Sequence, residues 1–366
     1  MRLRPRLSPV MDGFLAAQFF GPFMVCLLAF TAAYLLGDAF DRFDDLIRYG
    51  GLGLLGLEYF ALKLPLIVSQ LLPVASLAGV LLGFALLNRS GEVLACQQLG
   101  ISRLEMAVPV MMVAILISGF DFALSETLVP LATREAKYLY DVQLKKRQLK
   151  GVFANRRIWV RERDGFVSAD SYDSRTKQLF GVTLYQLGDD YGLKKIVHAE
   201  SAKWKNRKWV PEQLDTVMLG LNGSVTTADS KRFHLELGPA DLSLLRLDPD
   251  EFSLWELDSY IAGLRKKGLD PGGYVVDRDL KYAMPVSCFI MVVLGMALSL
   301  DPLPRNLSLG RSFGLAISIG FGYWVAFGIT TSLGRSGLIA PILAAWLPNT
   351  TFALIGLSIF LFGEER

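Results

Sequence analysis

Six long apolar runs constrain this sequence more than any other feature. A helix that crosses a hydrocarbon core of about 30 Å needs roughly 20 predominantly apolar residues. Runs of that length occur three times before a polar middle segment and three times after it, at about 13–37, 64–87, 106–124, 282–300, 313–333 and 338–362. The 366-residue chain is 52% hydrophobic, which argues against an ordinary soluble enzyme. The sequence therefore predicts a membrane protein with six transmembrane helices.

The first apolar run is interpreted as a retained membrane helix and not as a cleaved signal peptide. Its basic start, MRLRPRL, would suit a signal peptide, but the run is longer than the apolar region of such peptides. It also ends at Gly37-Asp38 without a small-x-small cleavage site. We therefore expect it to remain as the first transmembrane helix.

Arginines in the short loops predict the orientation, because short cytoplasmic loops carry an excess of Lys and Arg. With the N-terminus inside, the cytoplasmic pieces contain Arg2, Arg4, Arg6, Arg89, Arg103, Arg305, Arg311 and Arg366. The first loop on the opposite side, DAFDRFDDLIRYG, is net acidic. We expect both termini in the cytoplasm and the polar middle on the outer side of the membrane.

The polar middle is predicted to be an all-β domain with flanking helices, covering 130–277 between helices 1–3 (1–129) and helices 4–6 (278–366). RRIWVRERDGFVSAD has two alternating runs broken at Asp164-Gly165, which is typical of a β-hairpin. Further alternating runs continue to FHLEL at 233–237, a pattern typical of an antiparallel sandwich or jelly roll. DPDEFSLWELDSYIAGLRKKGLD then has helical spacing, with Asp250 or Ser253 as a possible cap.

The sequence contains none of the common motifs for nucleotide binding or hydrolytic catalysis. GxxxxGK[ST] and HExxH are absent, and GRSFG at 310–314 has the GxSxG spacing only at the edge of an apolar run, not as a strand-to-helix elbow. We therefore expect neither an enzyme nor a bound metal or cofactor. His198 and His234 stand about 36 residues apart without further ligands at metal-binding spacing. No cysteine lies in the β segment, so no disulfide framework is expected there.

The stretch NRSGEVLACQQLGISR, at 88–103, has two interpretations. One is a solvated connector between the second and third spans. The other is a short amphipathic helix that follows Glu92 and ends with Gly100 at its C′ position. Such a helix could dock on a separate ATPase, with Glu92 pairing with an arginine of that partner.

From this stretch onward the chain resembles the LptF/LptG permease family, the membrane subunits of the lipopolysaccharide exporter of Gram-negative bacteria. The family pattern is Ser-Glu-Leu-x-x-Met-x-x-x-Gly-[aliphatic or aromatic]-[Ser/Thr] after a second span rich in small residues. Glu92, Gly100, Ser102 and Arg103 match it, whereas Gly91, Cys96 and Gln98 depart from it. Similar segments before the fourth span and within the sixth extend the resemblance over essentially the whole chain, closer to the LptG branch than to LptF.

The resemblance implies a permease of the LptB2FG complex that acts in outer-membrane biogenesis. It places the helices in a bacterial inner membrane and the β domain in the periplasm. It implies a heterodimer with a paralogous permease and two copies of the LptB ATPase, which would bind ATP and Mg²⁺ in place of this chain. The jelly roll would pass lipopolysaccharide to LptC and then to LptA, and no nucleic-acid partner is expected. The coupling to the ATPase would involve Arg89, Glu92, Gly100 and Arg103.

The phosphates of lipid A call for cations near the periplasmic ends of the spans. The candidates are Arg42, Arg48, Lys63, Arg134 and Lys137; their alternative interpretation is that of ordinary cations that snorkel to lipid headgroups. Asp44 and Asp45 stand where family members often have lysines. These two acids put phosphate contacts at the first span in doubt.

Two other classes of protein are consistent with parts of the sequence. A secondary lipid or drug transporter would need no ATPase, but charges inside its spans are the usual sign of an ion path. Only Asp121, near the outer end of the third span, and the neutral Ser69 and Gln70 stand out. An FtsX-like mechanotransmission protein would bind an ATPase but move no lipid.

Overall fold

The computed structural model describes residues 9–48, 53–140, 151–154, 157–162, 165–173, 177–187, 193–205, 208–219, 225–227, 249–266, 270–300 and 309–362. The chain divides into two compact units. A helical unit combines Met1–Tyr140 with Pro249–Arg366, and a β unit covers Asp141–Asp248. The β unit is narrower than the predicted 130–277, because the helices on either side of it belong to the helical unit.

Six described helices are long and apolar enough to cross a membrane, which confirms the prediction. These helices are α1 (Pro9–Arg48), α2 (Leu54–Ser90), α4 (Arg103–Glu126), α7 (Gly272–Leu300), α8 (Leu309–Arg335) and α9 (Pro341–Phe362). The first two have 40 and 37 residues, so each is longer than ~50 Å at about 1.5 Å per residue. They therefore extend well beyond the apolar runs that revealed them.

Helix α2 forms the centre of the helical unit. Most of its apolar length is buried, whereas α1, α8 and α9 leave most of theirs exposed. Its buried Leu72, Val80 and Phe84 pack in one cluster with Phe19 of α1 and Val292 of α7. The exposed apolar faces of the outer helices suit contact with lipid or with another membrane protein, since neither penalises an apolar surface.

Two glycines allow α1 to approach α2 closely. A Cβ added to Gly83 would collide with the backbone carbonyl of Gln18, and one added to Gly79 would collide with the backbone of Phe23. Small residues at helix crossings are how membrane helices gain close packing without a hydrophobic driving force. These two positions therefore set the distance between α1 and α2.

A buried polar chain ties the last helices together. The Tyr323 hydroxyl of α8 donates to Asn349 Oδ1 of α9 at 2.9 Å, and Asn349 Nδ2 donates to the Ala283 carbonyl of α7 at 2.6 Å. In an apolar surrounding, unpaired polar groups would be costly. Their mutual pairing therefore fixes the relative positions of three helices.

The β unit is an antiparallel arrangement of short and long strands. Its strands are β1 (Gly151–Ala154), β2 (Arg157–Glu162), β3 (Gly165–Ala169), β4 (Ser171–Asp173), β5 (Gln178–Leu187), β6 (Leu193–Lys205), β7 (Lys208–Leu219) and β8 (Val225–Thr227). They pair in the order β1-β2-β3-β5-β6-β7-β8, with β4 on the far half of β5. The pairing of Glu162 with Gly165 confirms the predicted hairpin. Six apolar helices with an inserted antiparallel β unit are thus the observed architecture.

The core of the β unit consists of alternate side chains from its middle strands. Val167, Leu184, Val197 and Trp209 are buried together there. His198 is exposed on β6, where its Nδ1 lies 3.0 Å from Thr183 Oγ1. The predicted strand at 233–237, including His234, lies outside the described residues.

The chain returns to the helical unit through a 3₁₀ turn, Pro249–Glu251, and helix α6 (Leu254–Lys266). Ser253 caps α6: its hydroxyl accepts from the Glu256 amide, and its own amide donates to Glu256 Oε2. Leu257 and Ile261 are buried at helical spacing. The predicted helix and one of its two proposed caps are therefore confirmed.

Candidate functional site

The stretch between α2 and α4 contains a short helix, α3 (Glu92–Gln98). At its end the Ile101 amide donates to the Cys96 carbonyl at 3.1 Å and the Gly100 amide donates to the Gln97 carbonyl at 3.0 Å. These two bonds form a Schellman motif, which needs a left-handed residue, and Gly100 has φ +80°. The helical interpretation of this stretch and the place of Gly100 at C′ are therefore confirmed.

Helix α3 has a buried face and an exposed face, both of them partly apolar. Val93 and Cys96 are buried in the same cluster as Met106 of α4. Leu94 and Leu99 are 40% and 79% exposed. One face therefore fixes α3 to the transmembrane helices, while the other presents leucines that nothing in the described chain covers.

The Glu92 carboxylate lies in the first turn of α3. One of its oxygens, Oε2, is shielded from solvent and accepts no hydrogen bond from any described residue. Burial and the neighbouring Glu92 charge both raise the pKa of the Cys96 thiol. Cys96 therefore stays a neutral thiol and packs as a small apolar side chain, whereas Glu92 keeps acceptor capacity for another group.

The two predicted arginines flank α3. Arg89 is exposed in the last turn of α2, and Arg103 is the partly buried first residue of α4. A capping box fixes the start of α4, in which Ser102 Oγ accepts from the Glu105 amide at 3.2 Å and Glu105 Oε2 accepts from the Ser102 amide at 2.8 Å. The four predicted coupling residues thus share one end of the helical unit, called here the α3 end.

The opposite end, from which α5 (Leu128–Tyr138) leads to the β unit, is called the insert end. Here Lys63 Nζ lies 2.7 Å from both carboxylate oxygens of Asp38, and Arg42 Nε lies 3.4 Å from Asp38 Oδ1. The Arg42 guanidinium also lies 4.5 Å from the ring centre of Tyr140 and 5.2 Å from that of Tyr59. We call Asp38, Arg42, Lys63, Tyr59 and Tyr140 the Asp38 cluster.

Asp44, Asp45 and Arg48 of the first loop do not belong to the Asp38 cluster. Asp45 accepts a hydrogen bond from the Tyr140 hydroxyl, and Asp44 is exposed. Arg48 is exposed and pairs with no acid in the described part of the chain. The acid that meets Arg42 and Lys63 is therefore Asp38, which the sequence did not single out, and neither Asp44 nor Asp45.

The second predicted pair of cations lies on one face of α5, as the spacing predicted. Arg134 Nε donates to the Glu251 carbonyl at 2.6 Å, and its terminal nitrogen pairs with Glu256 Oε2. Lys137 Nζ pairs with Glu251 Oε1 at 2.6 Å. Burial tends to raise the pKa of Glu256, but hydrogen bonds from Ser253 and Arg134 together lower it below its ordinary value.

The full burial of one carboxyl group inside the helical unit was not predicted from the sequence. Asp121 of α4 is fully buried; Ser69 of α2 donates to it at 2.5 Å, and Cys288 Sγ of α7 lies 3.9 Å from it. Its position near the end of an apolar run suggested a place near the membrane surface. Its partners come from α2 and α7, in distant parts of the sequence, and no local pattern reveals them.

Further ion pairs join the insert end of α7 to its neighbours. Lys281 pairs with Glu126 of α4 at 3.3 Å, and the almost buried Asp277 pairs with Arg335 of α8 at 2.6 Å. The charged stretch DRDLK before the fourth apolar run was a visible signal for this network. The fourth apolar run was predicted to start at about 282, whereas α7 begins at Gly272.

Comparison with known proteins adds an independent observation. The family model described as "Lipopolysaccharide export system permease LptF/LptG" matches residues 13–362. The lipopolysaccharide export system permease protein LptG of Escherichia coli K12 is 28% identical over 370 residues, covering 96% of this chain and 98% of that protein. The LptG protein of Haemophilus influenzae is 24% identical over 304 residues, covering 81% of this chain and 83% of its own length.

Proposed function

The chain belongs to the LptF/LptG family of lipopolysaccharide export permeases, and we propose that its helices move this lipid out of the inner membrane under the drive of a separate ATPase. It is a multi-pass, LptG-like permease of the lipopolysaccharide export system and not itself a catalytic ATPase. The observation that best supports the proposed drive is α3, a short helix fixed on one face and open on the other.

Helix α3 is suited to receive force from a soluble partner. Its exposed Leu94 and Leu99 offer apolar contact, and the Glu92 carboxylate can accept a charge-assisted bond from an arginine. Since Val93 and Cys96 pack on the helices around α2, a push on α3 would reach the central helix directly. Arg89 and Arg103, at either side, would meet acids of the same partner.

The exposed apolar faces of the outer helices suit the lipid itself. Each acyl CH₂ group removed from water contributes about 0.8 kcal/mol, so a lipid with several acyl chains is held strongly by apolar walls. The apolar walls of a cavity between two permeases would hold the lipid, and collapse of that cavity, powered by ATP, would move it onward against this affinity. We propose that a paralogous LptF-type permease supplies the other half of the cavity wall.

The proposed orientation puts α3 and both termini in the cytoplasm and the β unit in the periplasm. The arginines of the short loops support this orientation. The ATPase partner would then be an LptB dimer, and the β unit would hand the lipid to LptC and LptA. The cations of the insert end, Arg42, Lys63, Arg134 and Lys137, would face the phosphates of lipid A, with Arg48 as a further exposed cation.

The test is a pull-down from native membranes of the full chain with a C-terminal tag, in mild detergent, with mass spectrometry of the recovered proteins. We expect an ABC ATPase and a second six-helix permease. Glu92→Ala should lower ATPase recovery by roughly tenfold, the effect of losing one charge-assisted bond.

The matched control is Gln97→Ala, an exposed position on the same helix, which should leave recovery within about twofold of the unchanged chain, as exposed substitutions usually do. Recovery of the chain without any ATPase would contradict the proposed drive. If Glu92→Ala and Gln97→Ala recover equal amounts of ATPase, the proposed coupling to an ATPase stands, but Glu92 takes no part in it.

A further inference from the structure

The geometry of the Asp38 cluster points to a specificity-determining role for Asp38. We propose that Asp38 is an internal anion that occupies Arg42 and Lys63 in the empty permease and competes with a phosphate group of the lipid for them. The competition limits how tightly phosphorylated lipid is held. This inference rests on the proposed function. It deepens that function by naming a residue that weakens the binding of phosphorylated lipid.

The contacts show that Asp38 already makes the bonds a phosphate would make. Both of its oxygens lie 2.7 Å from Lys63 Nζ, and one lies 3.4 Å from Arg42 Nε. Short bonds from an ammonium and a guanidinium to two oxygens are the usual recognition of phosphate in proteins. A lipid phosphate can bond fully to both cations only when the Asp38 carboxylate no longer contacts them.

The surrounding groups hold the two cations in place without neutralising them. The Tyr59 ring lies beside both Arg42 and Lys63, with the ring centre 5.2 Å and 5.4 Å from the two charges. The Tyr140 ring lies against Arg42, and the Tyr140 hydroxyl donates to Asp45. Arg42 and Lys63 share one direct carboxylate, so each keeps hydrogen-bond donors for a second anion.

The cations are also open enough for exchange. The Arg42 side chain is 31% exposed, and those of Lys63 and Asp38 are 16% and 14% exposed. An incoming phosphate can therefore approach from solvent or from the lipid headgroup layer. Asp38 could swing aside without unfolding α1, because it occupies a helix position and only its side chain contacts the cations.

Competition of this kind weakens binding in a predictable way. The apparent dissociation constant equals the intrinsic one divided by the fraction of sites that are free to bind. If Asp38 occupies the cations most of the time, phosphate binding is weakened by that factor, while the acyl chains are unaffected. A permease that must release its cargo benefits from this weakening, because tight binding would hold the lipid at the insert end.

The experiment uses the purified complex recovered with the full chain, and measures binding of two lipids by native mass spectrometry. One lipid is hexa-acylated, bisphosphorylated lipid A, and the other is the same lipid without its phosphates. Asp38→Asn should tighten binding of the phosphorylated lipid by roughly tenfold, the effect expected for releasing one charge-assisted bond. It should leave binding of the dephosphorylated lipid unchanged.

The matched control is Asp44→Asn, which removes the same charge from the same end of α1 at an exposed position outside the ion pairs of Arg42 and Lys63 with Asp38. It should change binding of either lipid by less than about twofold, because an exposed charge is screened by water and salt. Equal tightening by Asp38→Asn and Asp44→Asn would overturn the proposal in favour of a general effect of charge. Unchanged or weaker binding with Asp38→Asn would overturn it as well.

Two further outcomes are separable. If Asp38→Asn does not assemble, Asp38→Ser provides a smaller neutral side chain and should give the same tightening. Failure of both to assemble would make Asp38 a purely structural counter-ion and overturn the proposal. If the unchanged complex binds neither lipid, the proposed function itself fails, whereas binding without any effect of Asp38 removes only this inference.

Discussion

Gly83 and Gly79 of α2 leave no room for a side chain at the contact with α1. At both positions an added Cβ would meet backbone atoms of α1, and backbone cannot move aside as a flexible side chain can. Gly21 lies on α1 with nothing within 4 Å of its added Cβ. The glycines of this protein therefore differ sharply in what replacement would do.

We predict that Gly83→Ala destabilises the helical unit by about 1–3 kcal/mol, the usual cost of overpacking a well-packed site. The measurement is thermal unfolding of the purified protein in detergent, compared with Gly21→Ala as the control. Gly21→Ala should be neutral or slightly stabilising, because alanine favours helices by up to about 1 kcal/mol over glycine. Equal stability of the two variants would show that α1 does not approach α2 as closely as described.

Asp38 and Asp121 show why the contact partners of a single residue cannot be predicted from the sequence. Lys63 lies 25 positions from Asp38, and Ser69 and Cys288 lie 52 and 167 positions from Asp121. No local pattern reports such partners, so the sequence indicated the cations but not the acid that pairs with them. It likewise located Asp121 in the third span but could not show that the side chain points into the protein.

At the scale of elements, the start or end of a helix was predictable where the residues that fix it are neighbours in the chain. Gly100 ends α3 because the left-handed conformation favours glycine, and Ser253 caps α6 because its hydroxyl reaches the Glu256 amide. The start of α2 at Leu54 was missed, since its first turns are outside the strongly apolar run. The packing of α5 and α6 with the helical unit was missed too, because amphipathic helices fit either unit by pattern alone.

The start of α6 should depend on pH. Because the folded-state pKa of Glu256 is lowered, its contribution to stability is present above the ordinary carboxyl pKa and is lost as the pH falls through the lowered value. We predict faster hydrogen exchange in 253–257 for Glu256→Gln than for the unchanged chain at pH 7. The difference should shrink as the pH is lowered towards about 3, because protonation removes the Glu256 charge.

The size of this effect is limited, because the Glu256 side chain is 46% exposed and so partly screened by water and salt. The matched control is Asp258→Asn on the same helix, whose exposed carboxylate faces Arg278 at 3.5 Å. It should leave the exchange of 253–257 unchanged at either pH. An equal difference at pH 7 and pH 3 would contradict the assigned role of the Glu256 charge.

At the scale of the whole molecule, the apolar runs predicted the architecture well. Spanning helices are a property of continuous local composition, and the order of three helices, β insert and three helices can be read directly from it. How the helices pack cannot be read in this way, since α1 and α2 have the same mean hydropathy but only α2 is central. That difference arises from contacts among all six helices.

The orientation in the membrane can be tested by labelling introduced cysteines, because the native ones are buried. Cys26, Cys96 and Cys288 are all buried, so they should react slowly with a maleimide that cannot cross membranes. We predict that Lys205→Cys, exposed on β6, is labelled in intact spheroplasts, whereas Gln98→Cys, exposed on α3, is labelled only after lysis. The opposite pattern would invert the proposed topology.

The ion pairs between α5 and the α6 region impose an order on assembly during synthesis. Arg134 meets groups that lie 117 and 122 positions later in the chain, whereas Gln18 and Gly83, which set the spacing of α1 and α2, belong to the first two spans. Domains fold as the ribosome delivers them, starting from the N-terminus. The hairpin of α1 and α2 can therefore form early, while the pairs of Arg134 and Lys137 close only after the whole β insert has been translated and has reached its side of the membrane.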